Sequence, residues 1–255
     1  MRILITNDDG IASPALLQLV DWASAHFTRD GVLPHIVVAA PKVEQSGKSQ
    51  AIEIQSSIEV ERLDVTREGA DVEFYSIDST PADCVRFAAL TAKQNGNESF
   101  DLVISGINRG YNLGNDIAYS GTCGAIFEAS RHGISAVAFS SDGDSYLDVA
   151  DGVAAAWDFV EQNGLCDREG FLYNVNVPRN SRGIRITTQG GAFFVDWYEH
   201  IEGNTFRQCG ERLMTDSCDL TLDTDCIRNG YTSVTPITPC KTDLALYESI
   251  KHLSI

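Results

Sequence analysis

The stretch RILITNDDGIASPALLQLVDWASAHF, residues 2–27, decides the fold class together with HIVVAA at residues 35–40. The run RILIT predicts a β-strand because it is short, apolar and rich in β-branched residues. The segment from Pro14 to Phe27 has the apolar spacing of an amphipathic helix, and Pro14 stands where the first turn of a helix tolerates proline. HIVVAA predicts a second strand. A strand, a helix and a strand in succession indicate two parallel strands of a βαβ unit.

The same alternation continues to about residue 180. The strands before residue 105 are nearly all apolar, as in a sheet that helices cover on both faces. We therefore predict an α/β fold with a doubly wound, mostly parallel sheet for residues 1–180. The runs that predict further strands are VEFYSI, DLVISG, SAVAFSS and FLYNVNVP, and further helices are predicted from Pro81, in AYSGTCGAIFEASRHG ending at Gly133 and in YLDVADGVAAAWDFVEQNG ending at Gly164.

The sequence after residue 180 is richer in β-formers and less periodic. GIRITTQ and GYTSVTPI predict strands, and a short helix is expected from about Thr242. WYEHIEGNTFRQ predicts a β-hairpin around a Gly-Asn turn. This hairpin could lie on its own domain or pair with a second subunit. Residues 181–255 are thus expected to form a β-hairpin arm and tail that serve oligomerisation.

Composition excludes several classes of protein. The chain has 255 residues, 43% of them hydrophobic, which is enough for a sizeable core. The formal net charge is -17, so the field of the protein repels phosphates, and we expect no binding to nucleic-acid duplexes. An acidic excess also suits a protein that attracts divalent cations, although a solvated acidic surface is the more common explanation.

The cysteines and the N-terminal segment indicate a cytoplasmic protein. Seven cysteines occur, an odd number, without Cys-x-x-Cys spacing, so we expect reduced thiols. MRILIT is too short for the apolar region of a signal peptide. No segment approaches the roughly 18 apolar residues that a membrane span requires, so no membrane partner is expected.

Polar residues follow several of the predicted strands. In open parallel sheets, ligands bind beyond the carboxyl ends of the strands, where these residues should meet. The segments at this edge are Asn7-Asp8-Asp9-Gly10 after the first strand, Gln45-Ser46-Gly47 after the second, Asn108 after DLVISG, and Ser120-Gly121-Thr122 at the start of a helix.

Asp8 and Asp9 are the first sign of a metal site. Two adjacent carboxylates repel each other unless they are protonated, separated or bridged by a cation. A hard divalent ion would accept carboxylate, hydroxyl and amide oxygens together. A solvated Asp-Asp-Gly turn is the alternative and, for such a pair alone, the more common one. The other oxygen donors expected at the same edge favour the metal.

The segment SGINRGYNLGNDIAYSGT, residues 105–122, indicates a phosphate site. Its glycines and asparagines lead into a helix that begins with Ser-Gly-Thr, where free amides and the helix dipole favour an anion. A surface loop with an ordinary N-cap is the alternative, and most glycine-rich loops are of that kind. Neither a P-loop nor a GxGxxG motif occurs, which disfavours a nucleoside triphosphatase and an ordinary dinucleotide site.

The histidines and cysteines give no sign of nucleophilic catalysis. None of the five histidines lies beside the aspartate pair, and no Gly-x-Ser-x-Gly motif is present. Cys84 and Cys123 stand near helix starts, but without a partnered histidine we interpret them as small core residues.

Five motifs together cover most of the first 140 residues and a C-terminal block. They are NDDGI from Asn7, AP…QSG from Ala40 to Gly47, STPADCV from Ser79, the segment from Ser105 to Thr122, and GY.SVTP from Gly230 to Pro236. With these motifs the chain resembles the SurE survival-protein family of metal-dependent nucleoside-monophosphate phosphatases.

The resemblance implies one divalent metal ion, Mg²⁺, Mn²⁺ or Ca²⁺, and makes Asp8 and Asp9 the expected catalytic residues. It further implies a Rossmann-like three-layer core, with a C-terminal extension exchanged between the subunits of a homodimer or homotetramer. The implied substrates are nucleoside 5′- and 3′-monophosphates and, in some members, polyphosphate. The implied metal ligands are Asp8, Asp9, Ser46 and Asn108, and the implied phosphate-binding residues are Gly47, Asn108, Ser120, Gly121 and Thr122.

The sequence departs from the family pattern at several positions. Ala15 follows Pro14 where the family usually has glycine, and Ser79 also replaces a usual glycine. Between about residues 141 and 228, little beyond NVNVP matches. These departures leave the base preference and the geometry of the arm open.

Two other functions compete with the metal-dependent phosphatase. A phosphatase that forms an aspartyl-phosphate uses an Asp-x-Asp pattern, with nucleophile and acid two residues apart, whereas Asp8 and Asp9 are adjacent. A non-catalytic module that binds a metal and a nucleotide is the alternative from another class, and binding without turnover would identify it.

Overall fold

The computed structural model describes residues 1–142 and 150–253. The described strands are β1 (Arg2–Thr6), β2 (His35–Pro41), β3 (Val60–Leu63), β4 (Asp71–Ile77), β5 (Leu102–Arg109), β6 (Ser135–Ser141), β7 (Leu172–Val177), β8 (Ile184–Ile186), β9 (Phe194–Glu202), β10 (Thr205–Arg212) and β11 (Thr232–Pro236). The described α-helices are α1 (Pro14–Phe27), α2 (Pro81–Gln94), α3 (Gly121–Arg131), α4 (Ala150–Gln162), α5 (Asp223–Arg228) and α6 (Leu244–Ile250).

Nine strands form one sheet in the order β3-β4-β2-β1-β5-β6-β7-β11-β8. The strands from β4 to β7 in this order are all parallel. β3 pairs antiparallel with β4 at one edge, and β11 pairs antiparallel with β7 near the other. The predicted α/β fold with a mostly parallel sheet is therefore confirmed. Because β8 and β11 belong to this sheet, the chain after residue 180 also contributes to the core.

Helices cover both faces of the sheet and give a three-layer sandwich. In β1, Ile3 and Ile5 point into a core shared with α1 and α4, whereas Leu4 points into a second core shared with α2 and α3. This is the two-residue alternation of side chains in a strand. All three side chains are fully buried, which explains why the strand reads as a continuous apolar run.

β9 and β10 form a separate two-stranded antiparallel sheet, the predicted hairpin. Its turn contains Gly203, whose φ of 54° lies in the left-handed region that turns of this kind use. The hairpin exposes several large apolar side chains, which are Val195, Trp197, Tyr198, Ile201 and Phe206.

Two elements were not predicted, and one prediction is covered only in part. β3 and α5 are short, and β3 lies at the sheet edge. The part of the predicted fourth helix that precedes Ala150 lies outside the described residues. Within the described ranges, none of the helices is both long enough and apolar enough to cross a bilayer.

Candidate active site

The sheet order places the candidate site at the carboxyl end of β1. The chain leaves β1 for β2 on one side and later returns to β5 on the other, so β1 lies at a switch point of the topology. Crevices at such switch points are the usual ligand sites of open α/β sheets. The residues that follow β1, β2 and β5 meet here.

Hydrogen bonds fix the turn that follows β1. The Asn7 side chain donates to the carbonyl of Gly10 at 2.9 Å and accepts from the Gly10 amide at 3.2 Å. The Gln45 amide donates to the Asp8 carbonyl at 2.7 Å, and the Ile11 amide donates to the Pro41 carbonyl at 2.7 Å. The loop after β2 is therefore bound to the aspartate turn, which brings Ser46 to the site.

Asp8 is a buried carboxylate, with only 3% of its surface exposed. Thr122 holds it through two hydrogen bonds, from the hydroxyl to Oδ1 at 2.8 Å and from the amide to Oδ2 at 3.2 Å. Burial raises the pKa of Asp8 to about 6, and the charge of Asp9 adds to the rise, while the bonds from Thr122 oppose it. Two hydrogen bonds do not offset the loss of hydration.

Asp9 is less buried than Asp8 and points another way. Its Oδ2 accepts a hydrogen bond from the Arg109 amide at 3.3 Å, which ties the turn after β1 to the end of β5. Burial raises the pKa of Asp9, the bond from Arg109 lowers it, and the charge of Glu44 raises it further. The two carboxylates thus have different partners, since Asp8 is bound to the start of α3 and Asp9 to the end of β5, while the charge of Asp9 still acts on Asp8.

A bulge in β5 delivers Asn108. The pairing of β5 with β6 shifts between Ser105 and Asn108, with one extra residue on β5. The Asn108 amide group donates to the Gly110 carbonyl at 2.7 Å. This bond assigns the nitrogen, so the side-chain oxygen is the atom left for a cation.

Ser46 and Gly47 lie on an exposed turn after β2. The Ser46 hydroxyl donates to Glu44 Oε1 at 2.8 Å, which leaves its oxygen lone pairs free to accept or to bind a cation. This turn is the most exposed part of the predicted ligand set.

The start of α3 packs tightly against the same loop. Ser120 caps the helix by accepting from the Cys123 amide at 3.0 Å. A Cβ at Gly124 would lie 2.0 Å from the carbonyl oxygen of Ser49, so only glycine allows this approach. In the first turn, the Thr122 amide is bound to Asp8, and the Gly121 amide has no partner among the hydrogen bonds of the described residues.

A cavity of about 550 Å³ lies between the loop after β2, the end of β5 and the start of α3. Five predicted site residues line it, and we call them the sheet wall: Asp8, Ser46, Gly47, Asn108 and Ser120. Asp9, Gly121 and Thr122 are not part of this lining. The lining also includes four residues of the hairpin, which we call the hairpin wall: Phe194, Asp196, Tyr198 and Gln208.

Sequence reasoning missed the hairpin wall, Arg109 at the end of β5, and three residues of the loop after β5, which are Asn112, Asp116 and Tyr119. Asn112 had a usable signal, because NVNVP matches the family pattern and supplies its partners. The Asn112 amide donates to Asn176 Oδ1 at 2.8 Å, and the Asn112 carbonyl accepts from the Asn174 and Asn176 side chains at 2.7 and 3.0 Å. These two asparagines of β7 therefore fix the position of the loop after β5.

A second cluster of ionisable side chains, one histidine and two carboxylates, lies away from this cavity, between α1 and α4. His26 Nε2 lies 3.1 Å from Glu161 Oε2, and its Nδ1 lies 3.9 Å from Asp158 Oδ1. The His26 ring also stacks on Trp22, with 5.2 Å between the ring centroids. A histidine held by two carboxylates explains this cluster without a metal ion.

Comparison with known proteins identifies the family and the fold. The family model described as Survival protein SurE matches residues 3–196. The 5′-nucleotidase SurE of Natranaerobius thermophilus is 34% identical over 99% of this chain and 98% of its own length, and that of Clostridium tetani is 34% identical over 93% of each. The crystal structure of Sure protein from Aquifex aeolicus has a TM-score of 0.76 at 27% identity and covers 99% of both chains. The chain belongs to the survival protein SurE family.

Proposed function

We propose that this chain is a metal-dependent phosphomonoesterase that releases inorganic phosphate from nucleoside 5′-monophosphates, and also from 3′-monophosphates. Membership of a family whose relatives are named 5′-nucleotidase supports this activity. The observation that carries the proposal is the buried Asp8 carboxylate, which lines one cavity together with Ser46 and Asn108.

The donor set fits a hard divalent cation such as Mg²⁺, Mn²⁺ or Ca²⁺. Asp8 and Asp9 would hold it with carboxylates, Ser46 with its hydroxyl and Asn108 with its amide oxygen, which are the donors that such ions prefer. The raised pKa of Asp8 supports the fit, because a cation would stabilise the ionised form that burial disfavours. When bound, the ion polarises a phosphoryl oxygen and lowers the pKa of a water ligand.

The residues of the chain position the groups that react. Thr122 fixes the orientation of Asp8, and the Arg109 amide fixes that of Asp9. In the hydrolysis, water adds to phosphorus, the bond between phosphorus and the ribose oxygen breaks, and that oxygen takes up a proton. Either Asp8 or Asp9 can act as the base that accepts the proton of the attacking water.

The phosphate is proposed to lie between the turn at Gly47, Asn108 and the start of α3. The Gly121 amide is the first-turn donor that no described residue uses, and it points from the positive end of the helix dipole. Thr122 is expected to act indirectly, since both its amide and its hydroxyl are bound to Asp8. Ser120 and Gly47 both line the cavity, where donors can stabilise transition-state charge.

We also propose that the protein works as a homodimer or homotetramer through the hairpin. A two-stranded sheet alone is marginally stable in water. The β9–β10 hairpin nevertheless exposes Val195 and Trp197, which lie on one face of β9, and Ile201 near its turn. Exposed apolar side chains clustered in this way are typical of contact surfaces between proteins. Sedimentation of the wild type tests this, because the measured mass should exceed the 27.8 kDa of one chain.

The activity is tested by phosphate release from a panel of 5′- and 3′-nucleoside monophosphates with Mg²⁺, Mn²⁺ or EDTA. We expect phosphate release that requires the metal and stops when EDTA is added. A radiolabelled phosphoenzyme trapped by acid quench would support an aspartyl-phosphate mechanism instead. Binding of metal and nucleotide without release would identify the non-catalytic module.

A further inference from the structure

The hairpin wall is one face of the β9–β10 ribbon. Phe194, Asp196 and Tyr198 alternate along β9, so their side chains point to the same side. Gln208 lies directly opposite Tyr198 in β10. These four residues all line the cavity that contains Asp8, whereas Val195, Trp197 and Glu199 on the other side of β9 do not.

The cavity is larger than a phosphate group requires. A volume of about 550 Å³ falls in the range of sites that hold a whole small molecule. The sheet wall supplies the ionic and hydrogen-bonding groups that suit a phosphate. The opposite side of the cavity is therefore left for the rest of the substrate, and the hairpin wall forms it.

Two tyrosines give this part of the cavity aromatic surfaces. Tyr119, from the loop after β5, is 66% exposed, and Tyr198, from the hairpin, is 71% exposed. Neither ring is used in the packing of the core. Exposed aromatic rings beside a phosphate site are suited to stack on a nucleobase, and such stacking tolerates every base.

Asp196 adds a polar group to the same face. A Cβ at Gly210, its partner across the hairpin, would lie 2.6 Å from Asp196 Oδ1, so glycine leaves room for the carboxylate to lie across the ribbon. Asp116 lines the same cavity; burial raises the pKa of its carboxyl, and the charge of Asp196 adds to the rise. Asp116 Oδ2 has no hydrogen-bond partner among the described residues.

We propose that the hairpin wall is the nucleobase subsite, in which Tyr198 stacks on the base and Asp196 accepts hydrogen bonds from its amino and imino groups. This inference rests on the proposed nucleotidase function. Ionised carboxylates are acceptors only, so the subsite favours bases whose edge presents donors. Guanine offers two adjacent donors to one carboxylate, whereas uracil flanks a single donor with two acceptors. The subsite therefore prefers GMP to UMP.

The role of Tyr198 is tested with kcat/KM for 5′-GMP and for glycerol 2-phosphate, a substrate that has the same phosphate but no base. Tyr198→Ala should lower kcat/KM for GMP about tenfold, mainly through KM, and leave that for glycerol 2-phosphate within about twofold. Tyr198→Phe should retain the GMP value because it keeps the ring. Phe206→Ala is the matched control, since Phe206 is an exposed aromatic of the same hairpin that does not line the cavity.

The role of Asp196 is tested with the ratio of kcat/KM for GMP to that for UMP. Asp196→Asn should lower this ratio about tenfold, because an amide offers a donor where guanine needs an acceptor. Glu199→Gln removes a charge of the same sign from the opposite side of the same strand and should leave the ratio unchanged. The oligomeric state of every variant is measured by sedimentation, so that only variants assembled like the wild type are compared.

The outcomes separate the subsite from the activity. Equal losses for GMP and glycerol 2-phosphate in Tyr198→Ala, or an unchanged GMP to UMP ratio in Asp196→Asn, would overturn the nucleobase subsite. A wild type that hydrolyses glycerol 2-phosphate as well as GMP would overturn it too, while the phosphatase activity would stand. No release from any substrate would remove the proposed function and this inference with it.

Discussion

The two walls of the cavity differ in how the fold holds them. In the sheet wall, Asp8 is 3% exposed and is bound by Thr122 and by the loop after β2. In the hairpin wall, Asp196 and Tyr198 are exposed and stand on a two-stranded ribbon outside the main sheet. A buried carboxylate held by hydrogen bonds is suited to chemistry, which requires fixed geometry, and an exposed ribbon is suited to recognition, which can vary between relatives.

The largest effect is expected at Asp9 in the turn after β1. Asp9→Asn should lower kcat about 10³-fold or more with the fold retained, because it removes a negative ligand from the proposed metal site. Steady-state phosphate release from GMP measures this, with circular dichroism as the check on folding. Asp30→Asn is a control on an exposed aspartate, whose φ of 52° asparagine also adopts. Comparable activity in both variants would contradict the proposed role of Asp9 as a metal ligand.

Asp8 should make the stability of the metal-free protein depend on pH. Its pKa is about 6 in the folded chain against 3.8 as its ordinary value, so the folded state binds the proton more tightly. The contribution of Asp8 to stability is therefore lost as pH rises from about 4 to about 6. At pH 7.5 the buried, charged carboxylate lowers the free energy of unfolding by on the order of 3 kcal/mol relative to pH values below 4.

Asp8→Asn tests this dependence because asparagine has no charge to bury. With EDTA present, the variant should be more stable than the wild type at pH 7.5, and the difference should shrink toward pH 4. Urea unfolding at each pH measures the two free energies, and equal denaturant slopes in the two proteins show that the comparison concerns stability alone. A difference that stays constant across this range would show that Asp8 carries no burial cost.

A smaller effect is expected where α3 packs on the loop after β2. In Gly124→Ala the new Cβ would meet the Ser49 carbonyl at 2.0 Å, and the loop must move. Overpacking of this kind typically costs about 1–3 kcal/mol, and displacement of Ser46 should weaken metal binding as well. Thermal unfolding and Mn²⁺ affinity measure both effects. Gly191→Ala, where the added Cβ meets nothing within 4 Å, should change neither.

The smallest effect is expected from Thr122, which contacts Asp8 and not the cavity. Thr122→Val keeps the shape of the side chain and removes the hydroxyl that donates to Oδ1. Activity or metal affinity should fall about tenfold, as for other residues that orient metal ligands. Thr122→Ser retains the hydroxyl and should restore most of the activity. Equal activity in the valine and serine variants would mean that this hydrogen bond does not position Asp8.

The sequence was informative where one local pattern decides the outcome. The helix predicted from Pro14 to Phe27 has those bounds in the structure, because its apolar spacing and its first-turn proline act within the segment itself. β3 was missed because its four residues are polar in the middle and pair only at the sheet edge. α5 was missed because a segment of six residues, with charged side chains in its first and last turns, is too short to show a helical period.

The same distinction holds for the site. Asp8, Ser46, Asn108 and Ser120 follow strands or open a helix, and the rule for parallel sheets brings them to one edge. The hairpin wall could not be predicted, because nothing within AFFVDWYEHIEGNTFRQ, residues 192–208, indicates which face of the ribbon turns toward that edge. The roles assigned to the site residues stay predictions. Only the tertiary structure shows that Thr122 binds Asp8.

The proposed metal site is tested most directly by calorimetric titration of Mn²⁺ into the metal-free wild type and into Asp8→Asn at pH 7.5. We expect the wild type to bind one ion per chain and to release fewer protons on binding at higher pH, and we expect the variant to bind at least a hundredfold more weakly. Equal affinity in the two proteins would show that the buried carboxylate after β1 does not hold the metal.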